Sequence, residues 1–371
     1  MMWFIRGCSV LAFFVVSSVS IAQPQQPRPR PAIDAILTAF DRHSIVFLGE
    51  VHWNRQQHRF IQKLLHDERL PGLVNDIAVE FGNSLYQPLI DRYVAGEQVP
   101  LDSLRLIWRN TTQVLAWDRP IYADIYVTVR VINKRLPLSR RIRVVALDPP
   151  IEWQSIHTAA EFPRLWGYRD PVWFETIERE VLSRNRRVLV ISGALHILTS
   201  DPPDFKPRGF DRVGLGDAIA QRYPAAAYRI YPATGGSSLT ELVRTWPEQS
   251  LAEVKGTSLG ARSAQLLWPG SVTMFRTVNG KRVPFTLGEG DFPSVEALVD
   301  AVLYYGKDST SAPLPSPAYW DCHYVAELRR RNQLLMPVFG QNQGSLIDSL
   351  ASQAHVKARR QGRAPCASET R

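Results

Sequence analysis

Ser44–Leu65 reads SIVFLGEVHWNRQQHRFIQKLL. Its first half is a β-branched apolar run that ends at Gly49 and passes into Glu50-Val51-His52. Its second half changes period: Phe60, Ile61, Leu64 and Leu65 recur at helical spacing within residues 56–67. A buried strand (44–49), a polar turn and an amphipathic helix are predicted in that order. The unit then returns along the chain. Ile77–Phe81 (IAVEF), Arg143–Leu147 (RVVAL), Arg187–Ser192 (RVLVIS) and Ala227–Tyr231 (AYRIY) read as further strands, and Val272–Phe275 as a sixth. Runs such as VVAL and VLVI do not alternate, which is the pattern of strands buried on both faces. Helices are predicted over 85–95, 102–108, 121–136, 171–185, 213–223 and 295–305, with Asp170 capping the fourth and Pro171 in its first turn. The alternation predicts an α/β fold with a mainly parallel central sheet flanked by helices, and a C-terminal extension.

The chain has 371 residues, 45% apolar and 21% charged. That balance excludes a disordered chain, a collagen and a disulfide-knotted mini-protein. Residues 1–22 carry one early cation (Arg6), an apolar stretch and small residues at Ser20 and Ala22. They read as a signal peptide cleaved after Ala22, which places the mature protein in the periplasm or the medium. Residues 23–37 begin QPQQPRPRP and read as a disordered Pro-rich leader. One α/β domain then spans 38–310, and 311–371 is an extension expected to be partly disordered. Three cysteines with no CxxC pair exclude a Cys-rich zinc module. After export, Cys322 and Cys366 remain, as one bridge or as two free thiols. The net charge of +9 is arginine in scattered short runs without interleaved aromatics. It reads as a basic solvated surface, so no nucleic-acid partner is expected. No apolar run after the first 25 residues is long enough for a transmembrane segment.

In open α/β sheets, ligands bind outside the carboxyl ends of the strands. The polar residues of the predicted strands fall at those ends: Glu50 and His52 after the first, Glu80 in the second, Asp148 after the third, His196 after the fourth. If the strands are parallel, they converge on one rim, where two imidazoles and three carboxylates suit acid–base work or a metal. Each has a plainer reading: a structural histidine, a turn aspartate, a paired buried carboxylate. Glu80 resists it most, since a carboxylate in an apolar strand must be paired or neutralised. His58 is a weaker candidate because six residues from His52 is poor spacing on one helix face, and His43 and His66 read as surface. No GxSxG elbow is present. The tryptophans 108, 117, 153, 166 and 173 read as core packing, or as an aromatic wall for a bulky apolar ligand.

Two GxxH motifs at strand ends (Gly49–His52 and Gly193–His196), the intervening Glu80 and the Arg169-Asp170 pair resemble the superfamily that joins erythromycin esterases, ChaN-type haem-binding proteins and Tiki/TraB proteases. IVFLGEVHWNRQQHRFIQKLL, AVEFGNSLYQPLIDRYVAGE, YRDPVWFETIEREVL, VLVISGALHI and LVDAVLYYG resemble its successive motifs over residues 42–305. The esterase branch implies His52 as a base for water attack, supported by Glu50 and Glu80. The Tiki branch implies that His52, His196 and Glu80 hold a divalent metal (Zn, Mn or Co). The ChaN branch implies haem. The expected function is therefore an exported hydrolase of ester or amide bonds with a His/Glu centre, acting on a small-molecule or peptide substrate. In this scheme Arg169 stabilises an oxyanion and His196 serves the leaving group. The alternative is a haem- or ligand-binding protein without turnover.

Overall fold

The computed structural model describes residues 24–162, 169–199, 214–235, 237–267, 273–278, 281–286, 292–307, 310–314, 316–339 and 342–362. The expected signal peptide, Trp166 and Cys366 lie outside them.

Ten strands are described: β1 (Arg30–Pro31), β2 (Ile45–Glu50), β3 (Asp76–Asn83), β4 (Arg143–Asp148), β5 (Val188–Gly193), β6 (Ala227–Ala233), β7 (Ser250–Glu253), β8 (Thr273–Val278), β9 (Lys281–Thr286) and β10 (Ala301–Tyr304). Eight form one sheet in the order β1-β7-β10-β6-β2-β5-β3-β4. Every pairing from β10 to β4 is parallel, whereas β7 and β1 join antiparallel at one edge. The sheet is thus α/β and mainly parallel, as the sequence predicts.

Strand parity explains the two apolar layers. Val46, Leu48, Ile77, Val79 and Ile191 face one layer with Phe60, Leu64, Ile107 and Tyr126 from the helices Arg55–Leu65, Leu101–Arg109 and Pro120–Asn133. Ile45, Phe47, Ala78, Val188 and Val190 face the other, with Trp173 and Ile177 of the Arg169–Glu180 helix and Ile219 of Leu215–Arg222. Continuous apolar strands follow from this sandwiching, because water meets neither face.

Three expectations change. Residues 295–305 are not one helix: Val295–Leu298 is a single turn, and Ala301–Tyr304 is a buried strand between β6 and β7. A short apolar run does not reveal its period, and here Val302 and Tyr304 face one layer while Ala301 and Leu303 face the other. The sixth predicted strand overlaps β8, which pairs with β9 in a separate two-stranded sheet. The leader is ordered from residue 24. Its Arg30–Pro31 pairs with β7 at the sheet edge, where proline is tolerated, and Ala32–Ala39 forms a helix. The C-terminal extension is present as expected and contains two long helices, Cys322–Phe339 and Gly344–Arg360, packed around their own apolar cluster. Cys322 is disulfide-bonded. No described helix is long and apolar enough to cross a membrane.

Candidate active site

Because β2, β5, β3 and β4 are parallel neighbours, their carboxyl ends share one rim. Glu50 ends β2 opposite Gly193, the last residue of β5. Between Val79 and Asn83 the register of β3 against β4 shifts, and Glu80 lies in that irregular stretch. Such a bulge re-aims side chains at a sheet end. Gly82 permits it, since a Cβ there would lie 2.8 Å from the Tyr126 hydroxyl and 3.0 Å from Ala146.

Glu50, His52, Glu80, Asp148, Arg169, Asp170 and His196 form one connected cluster. His52 sits between two carboxylates: its Nδ1 is 3.4 Å from Glu50 Oε2 and its Nε2 is 4.0 Å from Glu80 Oε1. Its side chain keeps 30% exposure while both carboxylates are fully buried. Burial opposes protonation of His52, but the Glu80 charge and the Glu50 hydrogen bond outweigh it and raise its pKa above the usual histidine value. The Trp117 ring stands edge-on to His52, with centroids 4.8 Å apart.

Glu50 accepts two further hydrogen bonds at Oε1, from His58 Nε2 (2.9 Å) and the Tyr122 hydroxyl (2.8 Å). Burial favours its neutral acid, yet the bonds from His52 and His58 hold it well below the usual carboxylate range. Glu80 accepts from Arg169 Nη2 at 2.6 Å through Oε1 and from the Gly193 backbone N–H at 2.6 Å through Oε2. Burial again opposes ionisation. The positive partners His196, Arg169 and His52 prevail and bring the Glu80 pKa down to about 2. Asp148 accepts from Thr112 N (2.5 Å), Thr112 Oγ1 (2.8 Å) and Arg169 Nε (3.2 Å). There burial wins and pushes the carboxyl up to about 6.

His196 has Nδ1 on Asp170 Oδ1 at 2.7 Å and Nε2 3.7 Å from Glu80 Oε1, with its ring against Trp173 at 4.3 Å. The same Asp170 oxygen accepts from Leu215 N at 3.1 Å. Asp170 therefore ties two other elements together and lies within the Arg169–Glu180 helix, not at a cap before it. Arg169 also departs from its expected part. It is 5% exposed, its donors are directed at Glu80 and Asp148, and its guanidinium lies 4.7 Å over the Trp173 ring. It orients and neutralises carboxylates more than it offers N–H groups to a substrate.

Sequence reasoning set His58 aside, and the structure puts it in the cluster. It occupies the buried face of the Arg55–Leu65 helix, with Nδ1 3.1 Å from the Ile121 carbonyl. The available signal is a histidine among Phe60, Ile61 and Leu64 on a largely apolar face that also buries Gln57. Thr112 and Tyr122 carry no such signal: Thr112 sits in a loop, which leaves no periodic trace, and Tyr122 reads as one more aromatic of the Pro120–Asn133 helix; Trp117, read as core packing or an aromatic wall, lies against His52. His43 and His66 lie elsewhere, their Nδ1 atoms against the backbone carbonyls of Ala225 and Gln62.

His52, His196 and Glu80 do not fit a divalent metal as arranged. Both Glu80 oxygens carry hydrogen bonds, and the Arg169 guanidinium stands where a cation would neutralise it. Among the described residues, no group of three or more His, Cys, Asp or Glu side chains is disposed to hold a metal ion.

No family model and no curated protein matches this chain. Solved structures do. An erythromycin esterase mutant in its open conformation is 10% identical, with 76% of this chain and 94% of that chain covered at a TM-score of 0.49. A protein from Bacillus cereus is 11% identical, with 77% and 96% covered and a TM-score of 0.49. A succinoglycan biosynthesis protein is 10% identical, with 77% and 96% covered and a TM-score of 0.47.

Proposed function

We propose that this chain is a hydrolase of ester or amide bonds, exported by its N-terminal segment, whose general base is His52. The observation that carries the reading is the suspension of one partly exposed imidazole between two buried, ionised carboxylates. Glu50 accepts the Nδ1 proton of His52 and so leaves Nε2 to take a proton from water. His58 and Tyr122 fix Glu50 in turn. Glu80 faces Nε2 and stabilises the imidazolium once the proton has moved, while His196, Arg169 and the Gly193 amide keep Glu80 ionised. His196, oriented by Asp170, serves the leaving group. The rim beside these histidines is apolar: Val51, Trp53 and Leu195 are all exposed. A substrate with an apolar group beside its scissile bond suits that rim.

The test is hydrolysis of a panel of chromogenic esters and anilides by the mature chain after EDTA treatment. The base form of His52 grows as pH rises, so kcat/KM is expected to climb through a midpoint above 6.5. Glu50→Gln removes a charge that raises this pKa, and should move the midpoint down. An absence of turnover together with a Soret band on hemin titration that His52→Ala abolishes would overturn the reading in favour of haem binding. Turnover lost with EDTA and restored by zinc, manganese or cobalt would replace it with a metal centre.

Gly193→Ala is a second check. An added Cβ would lie 3.0 Å from His52 Cε1 and 3.3 Å from Glu80 Oε2. The ring must move, and overpacking of this kind costs about 1–3 kcal/mol. kcat is expected to fall at least tenfold, on the order of the loss for a misplaced catalytic group. Wild-type kinetics in this variant would show that the close approach is not used.

A further inference from the structure

The loop 110–119, between the Leu101–Arg109 and Pro120–Asn133 helices, forms one wall of the site. From it Thr112 holds Asp148, Trp117 lies against His52, and the Ala116 carbonyl accepts from Trp53 Nε1 at 2.8 Å. Its internal backbone support is slight: Ala116 N reaches the Gln113 carbonyl at 3.4 Å. Leu115 has φ +64°, a left-handed conformation that a leucine adopts only where its surroundings hold it.

Those surroundings are the C-terminal segment. Leu115 is buried in the apolar cluster that contains Ala318, Tyr319, Leu328 and Ile347. Tyr324 and Tyr319 both donate their hydroxyls to Asp118 Oδ2, at 2.8 and 3.1 Å. Arg331 donates to the Arg109 carbonyl and to Asn110 Oδ1, at 2.7 Å each. Both ends of the loop and its strained middle are therefore gripped from outside.

We infer that the C-terminal helical segment is a clasp that holds the 110–119 loop against the site, making Asp118, Tyr319, Tyr324 and Arg331 positioning residues for His52 and Asp148. The inference deepens the hydrolase reading, but the placement of the loop does not depend on turnover.

The test is hydrogen exchange with mass spectrometry on the full chain, comparing the parent with Tyr319→Phe/Tyr324→Phe, which keeps both rings and removes two hydroxyls. Peptides covering 110–119 are expected to exchange at least tenfold faster, while those covering β2 and β5 stay protected. The His52 titration followed by NMR is expected to move upward. Withdrawal of Trp117 lessens the burial that opposes protonation, while Glu50 and Glu80 remain on their strands and Arg169 on its helix. Unchanged exchange at 110–119 in the folded double variant would overturn the clasp. If the double variant also loses protection in the strands, the single Tyr324→Phe carries the same comparison, with the same two outcomes. A parent chain that hydrolyses nothing would sink the hydrolase reading and leave this measurement decisive for the clasp.

Discussion

His52→Ala is expected to lower kcat by about 10²–10⁴-fold, the usual contribution of a positioned general base, and to leave the fold intact. The two halves of that expectation have separate grounds. His52 is partly exposed, and its removal leaves no orphaned buried charge. Glu50 keeps His58 and Tyr122, and Glu80 keeps Arg169 and the Gly193 amide. The loss should therefore appear in turnover, with the urea midpoint nearly unmoved. His58→Ala should show the opposite balance, since it vacates a buried place on an apolar helix face and strips Glu50 of its shorter histidine contact. Removing one partner so that a buried acceptor loses its donor costs about 1–3 kcal/mol, more for a charged group. Comparison of the two variants by steady-state kinetics and urea unfolding separates a base from its support. Undiminished kcat in His52→Ala would end the proposed mechanism, whatever the stability data showed.

The sequence carried the parts of this site that strands position, and little of what loops position. β2, β3, β4 and β5 are runs of β-branched residues broken at one end by Gly or an acid, so both their existence and their polar termini were readable. Parallel pairing then brings Glu50, Glu80, Asp148 and His196 to one rim without further information. What failed to register depends on contacts between distant segments. Asp170 looked like a helix cap because Pro171 follows it, yet its carboxylate is taken by His196 and Leu215. Arg169 looked like an oxyanion donor because nothing local showed that Glu80 and Asp148 would claim its guanidinium. β10 was read as helix because four buried residues flanked by a short turn leave periodicity undecided, and only its place between β6 and β7 settles it. β7 and β1 form the antiparallel edge, where a short strand and a proline gave no pattern to read. The clasp was invisible for the same reason: Tyr319, Tyr324 and Arg331 find Asp118 and Asn110 about 200 residues earlier in the chain.

Arg169→Met is expected to destabilise the protein by about 3–5 kcal/mol at neutral pH, the range for removing one partner of a buried ion pair. Arg169 faces two fully buried carboxylates, Glu80 at 2.6 Å and Asp148 at 3.2 Å, and with His196 and His52 it is one of the positive partners that let Glu80 stay ionised there. The pH dependence gives the prediction its sign. In the parent, Glu80 is held near a pKa of about 2 against an ordinary 4.5. Its contribution to stability is therefore fully present above pH 4.5 and is lost as pH falls towards 2. Asp148 runs the other way: its folded pKa of about 6 exceeds the ordinary 3.8, so it favours folding at low pH and opposes it as pH rises through 6. Without Arg169, burial dominates at both carboxyls and raises both folded pKa values. The variant should then be most impaired at pH 7–8 and regain ground on acidification, as protons take over the neutralising part of the guanidinium. Urea unfolding of parent and variant at pH 8, 6 and 4.5 reads this directly, as a stability gap that narrows with each step. Glu80→Gln/Arg169→Met, which removes both members of the closer pair, should recover part of the loss at pH 8. A gap below about 1 kcal/mol at pH 8, the size of a surface ion pair, would show that the charge on Glu80 does not depend on Arg169. The basis for an ionised acceptor facing Nε2 of His52 would then have to come from the Gly193 amide and the two imidazoles alone.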